Sequence, residues 1–387
     1  MGTTDGCEPR SMLEVAWRRA LTTARNDRAP DMTASLEVES SPGAIQSLVL
    51  PEALTGSEGI AYSSAGDVIA VAASNKNRVF LFRRRADGQF EGAPFLQLGG
   101  PGSELRYPHD VSFTSSGEGE LLAVAQRKGA ITIYQRNPAD GTYGTAPIFE
   151  ICGPETGLKF SDGVAFVPPH YDHLAVCNRW PGTISFYRRM SRTPVRFDLK
   201  PVFVLEHASV HLPDGLGFSA CGRWLAVANH GRHTVSIYRR RGRLSALGGL
   251  KYGPEPVTVI DDPSLRHPHS VAFNPETNHL VVTNAGANYF NVYEPIGHKR
   301  NVRWSRTPCL KTVVAPEAAF MEVNARNKME GGPKGVAIHR DGLAICNPEY
   351  GVKIYRIQLS PTAREKVGSG FSDGNAGALI RAINRPA

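Results

Sequence analysis

The sequence contains no run of about 18 apolar residues, the length that a membrane-spanning helix requires. Its first residues also lack the basic segment followed by an apolar segment that marks a secretory signal. These two absences argue against a transmembrane segment, and they predict a cytoplasmic protein.

Cysteines are few, and several motifs of known chemistry are missing. Six cysteines occur in 387 residues without any CxxC pair, and most lie in apolar runs such as LAVCN and LAICN. This pattern favours buried, reduced thiols over disulfides or cysteine metal ligands. The chain also lacks a Gly-x-Ser-x-Gly elbow, a P-loop and a dinucleotide fingerprint, which argues against a serine-triad enzyme or a nucleotide cofactor.

Six segments of the chain repeat one pattern, in which a small or polar residue pair is followed by a short apolar stretch. They are SEGIAYS from Ser57, PHDVSFT from Pro108, SDGVAFV from Ser161, PDGLGFS from Pro213, PHSVAFN from Pro268 and PKGVAIH from Pro333. Their second residues, at positions 58, 109, 162, 214, 269 and 334, are spaced by 51, 53, 52, 55 and 65 residues. A period of this length is typical of propeller blades.

Three further strand patterns follow most of these starts, such as HLAVCNR, TISFYRR and PVFVLEH. Their alternation has a period of two residues, which indicates β-strands rather than helices. The last unit lacks its fourth strand, and AIQSLVLPE from Ala44 has the matching pattern. The sequence therefore predicts an all-β, six-bladed β-propeller of four-stranded blades. The N-terminal strand would pair with the last blade and leave no exposed sheet edge.

The repeat divides the chain into three predicted regions. Residues 44–358 form the propeller, and residues 1–43 form an extension that contains an amphipathic helix at residues 11–26. This helix is expected to dock on the propeller or on a partner. Residues 359–387 are polar with scattered glycine and are predicted to form a mobile tail.

The unit PHSVAFNPETNHLVVTNAGANYFNVYE, from Pro268, resembles the repeats of the YVTN, NHL and lactonase-type propellers. That superfamily includes phosphogluconolactonase-like, gluconolactonase/regucalcin-like and streptogramin-lyase-like proteins. The resemblance covers the predicted ring and implies the propeller fold. The functions it implies are those of hydrolases, lyases and pure interaction modules.

The first strand of every propeller blade lines the central channel, so the second residues of the six starts are expected to meet at one mouth. All of these residues are ionisable: Glu58, His109, Asp162, Asp214, His269 and Lys334. Residues three blades apart would face each other across the channel. Three carboxylates on one axis repel each other unless a cation such as Lys334 or a metal ion compensates their charge.

A divalent metal is the predicted cofactor of this mouth. Four second strands end in asparagine, and carboxylate and amide oxygens are the ligands that Ca²⁺ and Mg²⁺ prefer. In the gluconolactonase-like group such a metal is held by a Glu before the first blade and by Asn and Asp of later blades. By resemblance the ligands would be Glu58, Asp162, Asp214 and Asn229. The pair His109 and His269 would instead suit Zn²⁺, as in lyase-like propellers, and Mn²⁺ is a further alternative.

Two functions are open at this point. The first is a metal-dependent hydrolase or lyase that acts on a small carbonyl, ester or lactone substrate at the channel mouth. There His109 or His269 would move a proton, and Lys334 would bind an anionic group of the substrate. The alternative is a non-catalytic propeller that serves as a protein-interaction scaffold, with its partner on the N-terminal helix or on a basic face.

That basic face is predicted from arginine runs at the ends of third strands, at residues 83–85, 188–189 and 239–241. They are expected opposite the mouth, as a solvated rim or as a surface for an anionic partner. No aromatic stacking pattern accompanies them, so nucleic acid is not expected to bind. His230 and His233 lie in a loop near the mouth, which is either a plain surface loop or a ligand contact.

Overall fold

Six β-sheets surround a central axis in the described part of the chain. The computed structural model describes residues 46–48, 56–100, 103, 105–114, 119–242, 250–297, 301–326, 330–340, 342–347, 351–357 and 359. Neighbouring sheets contact each other through their first strands in a closed cycle. The predicted six-bladed propeller of four-stranded antiparallel blades is confirmed.

Each blade runs from the axis to the rim in four strands, and blade 1 starts with β2. The first strands are β2 (Ser57–Tyr62), β6 (Pro108–Phe113), β10 (Ser161–Phe166), β15 (Pro213–Phe218), β20 (Pro268–Phe273) and β26 (Val336–His339). The second strands are β3 (Val68–Ala73), β7 (Leu121–Gln126), β11 (His173–Asn178), β16 (Trp224–Asn229), β21 (Leu280–Asn284) and β27 (Gly342–Asn347). The third strands are β4 (Arg78–Arg83), β8 (Ala130–Gln135), β12 (Thr183–Arg192), β17 (Thr234–Arg241), β22 (Tyr289–Tyr293) and β28 (Gly351–Arg356). The fourth strands are β5 (Leu96–Gly99), β9 (Phe149–Ile151), β14 (Phe203–Glu206), β19 (Thr258–Ile260), β25 (Leu310–Val313) and β1 (Gln46–Leu48).

The N-terminal strand closes the ring, as the sequence predicts. Strand β1 pairs antiparallel with β28 of blade 6, with Gln46 opposite Ile354. The side-chain amide of Gln46 also donates to the carbonyl of Phe90 at 2.8 Å and accepts from its N–H at 2.9 Å. Because Phe90 belongs to blade 1, this one residue joins the two blades that meet at the closure.

The hydrophobic core consists of six clusters, each between two neighbouring blades. Five of them receive an aromatic side chain from the connection between the third and fourth strands of the later blade. These side chains are Phe90, Tyr143, Phe197, Tyr252 and Trp304. Each connection therefore packs its apolar side against the preceding blade and leaves its polar side for solvent.

Blades 3, 4 and 5 extend these connections into short hairpins. Strand β13 (Val195–Phe197) pairs with the end of β12, and β18 (Lys251–Tyr252) pairs with the end of β17. Strands β23 (Pro295–Ile296) and β24 (Arg303–Trp304) form the third hairpin. The strand registers place all three hairpins at the end of the blades opposite to the mouth.

The long step before the last repeat contains a helix that the sequence analysis does not predict. Helix α1 (Glu317–Arg326) lies between blades 5 and 6. The described residues also include three single-turn 3-10 helices, Ser74–Lys76, Pro154–Thr156 and His230–Arg232. No helix among the described residues is long and apolar enough to span a membrane. The predicted N-terminal helix, and the tail beyond Leu359, lie outside the described residues.

A β-bulge turns the start of the first strand toward the axis. In blade 4, Pro213 pairs with Asn229 but Leu216 pairs with Val227, so one extra residue is accommodated between them. The glycine within this bulge, Gly215, approaches blade 5 closely, because a Cβ there would lie 2.5 Å from the carbonyl oxygen of His269. Blades 1, 3 and 5 shift register at the same place. The bulge thus carries the second residue of each start into the channel.

Candidate functional site

The six predicted mouth residues form one buried cluster on the channel axis, which we call the axial cluster: Glu58, His109, Asp162, Asp214, His269 and Lys334. Glu58 has 12% of its side chain exposed, and each of the other five residues is at most 3% exposed. The rings of His109 and His269 stack with their centroids 5.2 Å apart, as expected for residues on opposite blades. The sequence therefore predicts correctly that these side chains converge.

The carboxylate of Glu58 is contacted by Lys334 and by the two histidines of the axial cluster. Its Oε2 lies 3.1 Å from Lys334 Nζ, 3.1 Å from His269 Nε2 and 3.7 Å from His109 Nε2. Burial opposes ionisation of Glu58, but Lys334 and the two histidines outweigh it and lower the pKa of Glu58. Lys334 thus pairs with its neighbour in the ring rather than with Asp162 across the channel.

Two arginines complete the cluster, and the sequence analysis does not identify them. Arg127 Nε donates to Asp162 at 2.7 Å, and Arg179 bridges Asp162 and Asp214 at 3.1 Å each. Each arginine follows the last residue of a second strand and reaches the next blade. In the sequence, both arginines can be recognised as the residue that follows the polar end of a second strand, in AVAQR and AVCNR.

His230 and Glu330 form the outer layer of the cluster. His230 Nδ1 lies 3.1 Å from Asp214 Oδ2, and its Nε2 lies 3.1 Å from Glu330 Oε1. Burial works against protonation of His230, yet its contacts with Asp214 and Glu330 raise its pKa. Glu330 also accepts a hydrogen bond from Lys334 at 2.7 Å. The loop of His230 is therefore part of the site, whereas His233 contacts His267.

The protein's own cations balance the carboxylates of the cluster. Asp162, Asp214, Glu58 and Glu330 are matched by Lys334, Arg127, Arg179 and, when it is protonated, His230. Burial and then the Arg127 charge lower the pKa of His109 to about 4, so His109 is neutral at pH 7. Its Nδ1 donates to the carbonyl oxygen of Asp162 at 3.2 Å, and its Nε2 therefore carries the lone pair.

Little space is left at the axis. The cavity between Glu58, His109, Asp214 and His269 measures about 10 Å³, close to the smallest volume that holds one water molecule. This cavity is consequently too small for an organic substrate in this arrangement.

The asparagines that end the second strands hold their own blades together. Asn229 accepts from the His211 N–H at 3.2 Å and donates to Ser236 Oγ at 2.9 Å. Asn178 makes the equivalent bonds with Lys159 N and Ser185 Oγ. To bind a metal, Asn229 would have to release its bond with His211. Its predicted role as a ligand stays a prediction, as do those of Glu58, Asp162 and Asp214.

A second candidate site is the surface of the three hairpins, which we call the hairpin face and define as the described residues of 188–200, 239–255 and 294–306. Its basic side chains are Arg188, Arg189, Arg192, Arg196, Lys200, Arg239, Arg240, Arg241, Lys251, Arg303 and Arg306, and its acidic ones are Asp198, Glu255 and Glu294. Arg188 pairs with Asp198, and Arg192 pairs with Asp172. Five other basic side chains of this face have no carboxylate within ion-pair distance among the described residues. They are Arg196, Lys200, Arg241, Lys251 and Arg303.

Apolar side chains interrupt this positive surface. Met190 is 55% exposed, Ile296 is 41% exposed and Leu199 is 37% exposed. By contrast, the hairpin aromatics Tyr252 and Trp304 are buried against the preceding blades. The hairpin face therefore offers positive charge and exposed aliphatic groups, but these two rings are not free to stack on a base.

Comparisons with known proteins support the fold and nothing finer. No family model and no curated protein matches the chain. Among solved structures, the chain is similar to the β-propeller domain of Cps50 (Swd1) from Myceliophteria thermophila, with a TM-score of 0.51 and 12% sequence identity. The match covers 82% of this chain and 99% of that chain. At this identity the likeness shows a shared β-propeller fold only.

Proposed function

We propose that the protein is a non-catalytic propeller that binds an acidic protein partner through its hairpin face. The observation that carries this proposal is the positive hairpin face, together with an axial cavity of about 10 Å³ that leaves no room for a lactone or ester.

The charge of the hairpin face defines the partner. Lys200, Arg241 and Lys251 are exposed and have no carboxylate at ion-pair distance among the described residues. An acidic segment would supply the missing partners, and its apolar side chains would cover Met190 and Ile296. Nucleic acid is the weaker fit, since Tyr252 and Trp304 are buried and cannot stack on bases.

The resemblance to YVTN, NHL and lactonase-type repeats is compatible with this function. That superfamily includes pure interaction modules beside its enzymes, so membership in it would not by itself require catalysis. The chain's place within the superfamily is itself part of the proposal.

The experiment is the binding of a fluorescein-labelled peptide rich in glutamate and leucine, followed by anisotropy. We expect binding that weakens with salt, and at least about tenfold weaker binding by Lys200→Gln/Arg241→Gln/Lys251→Gln. The matched control is Lys76→Gln/Lys128→Gln/Lys159→Gln, which removes the same charge from exposed positions at the mouth end and should bind like the wild type. Equal loss in both variants, or equally tight binding of single-stranded DNA or anionic vesicles, would overturn the proposal.

A metal-dependent hydrolase or lyase is the second candidate, favoured by the convergence of His109, His269 and Lys334 in one cluster. Its test is a panel of lactones and carbonyl substrates with Ca²⁺, Mg²⁺, Mn²⁺ or Zn²⁺ added. Turnover that disappears in His269→Gln and survives in the hairpin variant would favour the enzyme over the scaffold.

A further inference from the structure

Four ligand atoms encircle the axial cavity at the separations of a metal centre. His269 Nε2 lies 3.1 Å from Glu58 Oε2 and 3.8 Å from Asp214 Oδ1. His109 Nε2 lies 3.7 Å from the same Glu58 oxygen and 3.7 Å from the same Asp214 oxygen. These are two nitrogens and two carboxylate oxygens, one from each of blades 1, 2, 4 and 5.

One of the four atoms, Asp214 Oδ1, is buried without a hydrogen bond among the described residues. Glu58 Oε2 and His269 Nε2 lie 3.1 Å from each other, and Glu58 Oε2 also lies 3.1 Å from Lys334 Nζ. Asp214 and His269 are at most 3% exposed, so bulk water does not reach them freely. The histidine nitrogens that face Asp214 Oδ1 lie at 3.7 and 3.8 Å, and a buried carboxylate oxygen without a close partner is unfavourable, so the cavity between these atoms indicates a missing occupant.

We propose that the axial cavity binds one divalent transition-metal ion, best Zn²⁺, through Glu58, His109, Asp214 and His269. Zn²⁺ binds nitrogen and oxygen ligands at about 2.0–2.1 Å, and a tetrahedron of such bonds separates its ligands by about 3.3–3.4 Å. Four of the six separations among these atoms are 3.1–3.8 Å, and they bracket that value. Ca²⁺ fits less well, because it requires six to eight oxygen ligands at longer distances.

Surrounding residues orient the four proposed ligands. The Nδ1–H of His109 is held by the carbonyl oxygen of Asp162, which directs its Nε2 lone pair to the channel. Arg127 Nη2 lies 2.7 Å from this nitrogen and would yield it to the metal, while its Nε keeps Asp162. Compared with the set predicted from the sequence, the two histidines replace Asp162 and Asn229, which have other partners.

The site would be structural, and it goes beyond the proposed function. Four protein atoms would fill the tetrahedral positions of the ion, whereas catalytic zinc keeps one position for water or substrate. The ion would tie four blades together at the axis, independently of any partner on the hairpin face.

The test measures zinc binding by protein that has been stripped with a chelator and dialysed. We expect one equivalent of Zn²⁺ in competition with a chromophoric chelator, a higher melting temperature on zinc addition, and a Co²⁺ derivative with the visible absorption of a tetrahedral site. Glu58→Gln and His269→Gln should each weaken binding more than about tenfold. The matched control is His279→Gln, since His279 is a buried histidine of the same blade outside the cluster.

Each other outcome counts against the site. No bound zinc or cobalt in the wild type would overturn it, even where the ligand variants fail to fold. Zinc that persists in His269→Gln and is lost in His233→Gln would place the ion at His233, and that result would also overturn the proposal.

Discussion

At the residue scale, buried charges of the axial cluster are stabilised only as a set. Asp162 is fully buried and holds Arg127 and Arg179, whose side chains are 27% and 16% exposed. Removing one member of a buried ion pair leaves the other uncompensated, which costs far more than the intact pair contributes.

Asp162→Asn should accordingly lower the free energy of unfolding by about 3–5 kcal/mol, measured by denaturant titration. Asp172→Asn is the control, because Asp172 pairs with Arg192 at 2.6 Å on the surface and such pairs contribute about 0–1 kcal/mol. Similar losses in the two variants would show that the axial pairs are solvated.

His279 gives a pH prediction that does not involve the cluster. Burial lowers the pKa of His279, so the unfolded chain takes up this proton more readily than the folded one. Above the unfolded pKa of about 6.5, His279 is neutral in both states and its contribution to the unfolding free energy is fully present. As the pH falls from there through the folded pKa, the unfolded chain takes up the proton first, and this contribution is lost. The decrease in unfolding free energy between about pH 7 and pH 5 should be smaller in His279→Gln than in the wild type, and an unchanged decrease would refute this assignment.

At the element scale, the bulge and the hairpin decide how blades meet. Gly215 lies where the first strand of blade 4 passes the carbonyl oxygen of His269. Gly215→Ala should lower the unfolding free energy by about 1–3 kcal/mol, because its Cβ requires the two strands to separate. Gly92→Ala is the control, since nothing lies within 4 Å of a Cβ at that position. Equal melting temperatures for the two variants would contradict the close approach.

The hairpin of blade 5 is fixed by Trp304, whose ring lies 5.3 Å from that of Trp224 in blade 4. Trp304→Ala should cost about 3–5 kcal/mol of unfolding free energy in a denaturant titration, as expected for a buried aromatic side chain. Ile296→Ala, on the exposed side of the same hairpin, should change it by no more than about 0.5 kcal/mol. A small effect at Trp304 would mean that the hairpin is not an integral part of the core.

At the scale of the whole molecule, the repeat predicts the fold because every unit shows the same alternation, and the closure by β1 follows from the strand missing in blade 6. The convergence of Glu58, His109 and His269 follows from their shared repeat position. Arg127 of blade 2 reaches Asp162 of blade 3, and Arg179 of blade 3 reaches Asp214 of blade 4. Such contacts between blades are not visible in the register of single units. Glu330 and helix α1 lie in an irregular connection, which the repeat does not describe.

The central claim is that the partner binds on the hairpin face and not at the mouth. The measurement that tests it most directly compares the affinity of the acidic peptide for two variants. One is Lys200→Gln/Arg241→Gln/Lys251→Gln on the hairpin face, and the other is Tyr107→Ala/Trp180→Ala, two aromatics exposed at the mouth end. We expect the hairpin variant to lose binding and the aromatic variant to bind like the wild type; loss in the aromatic variant with binding kept in the hairpin variant would contradict the account.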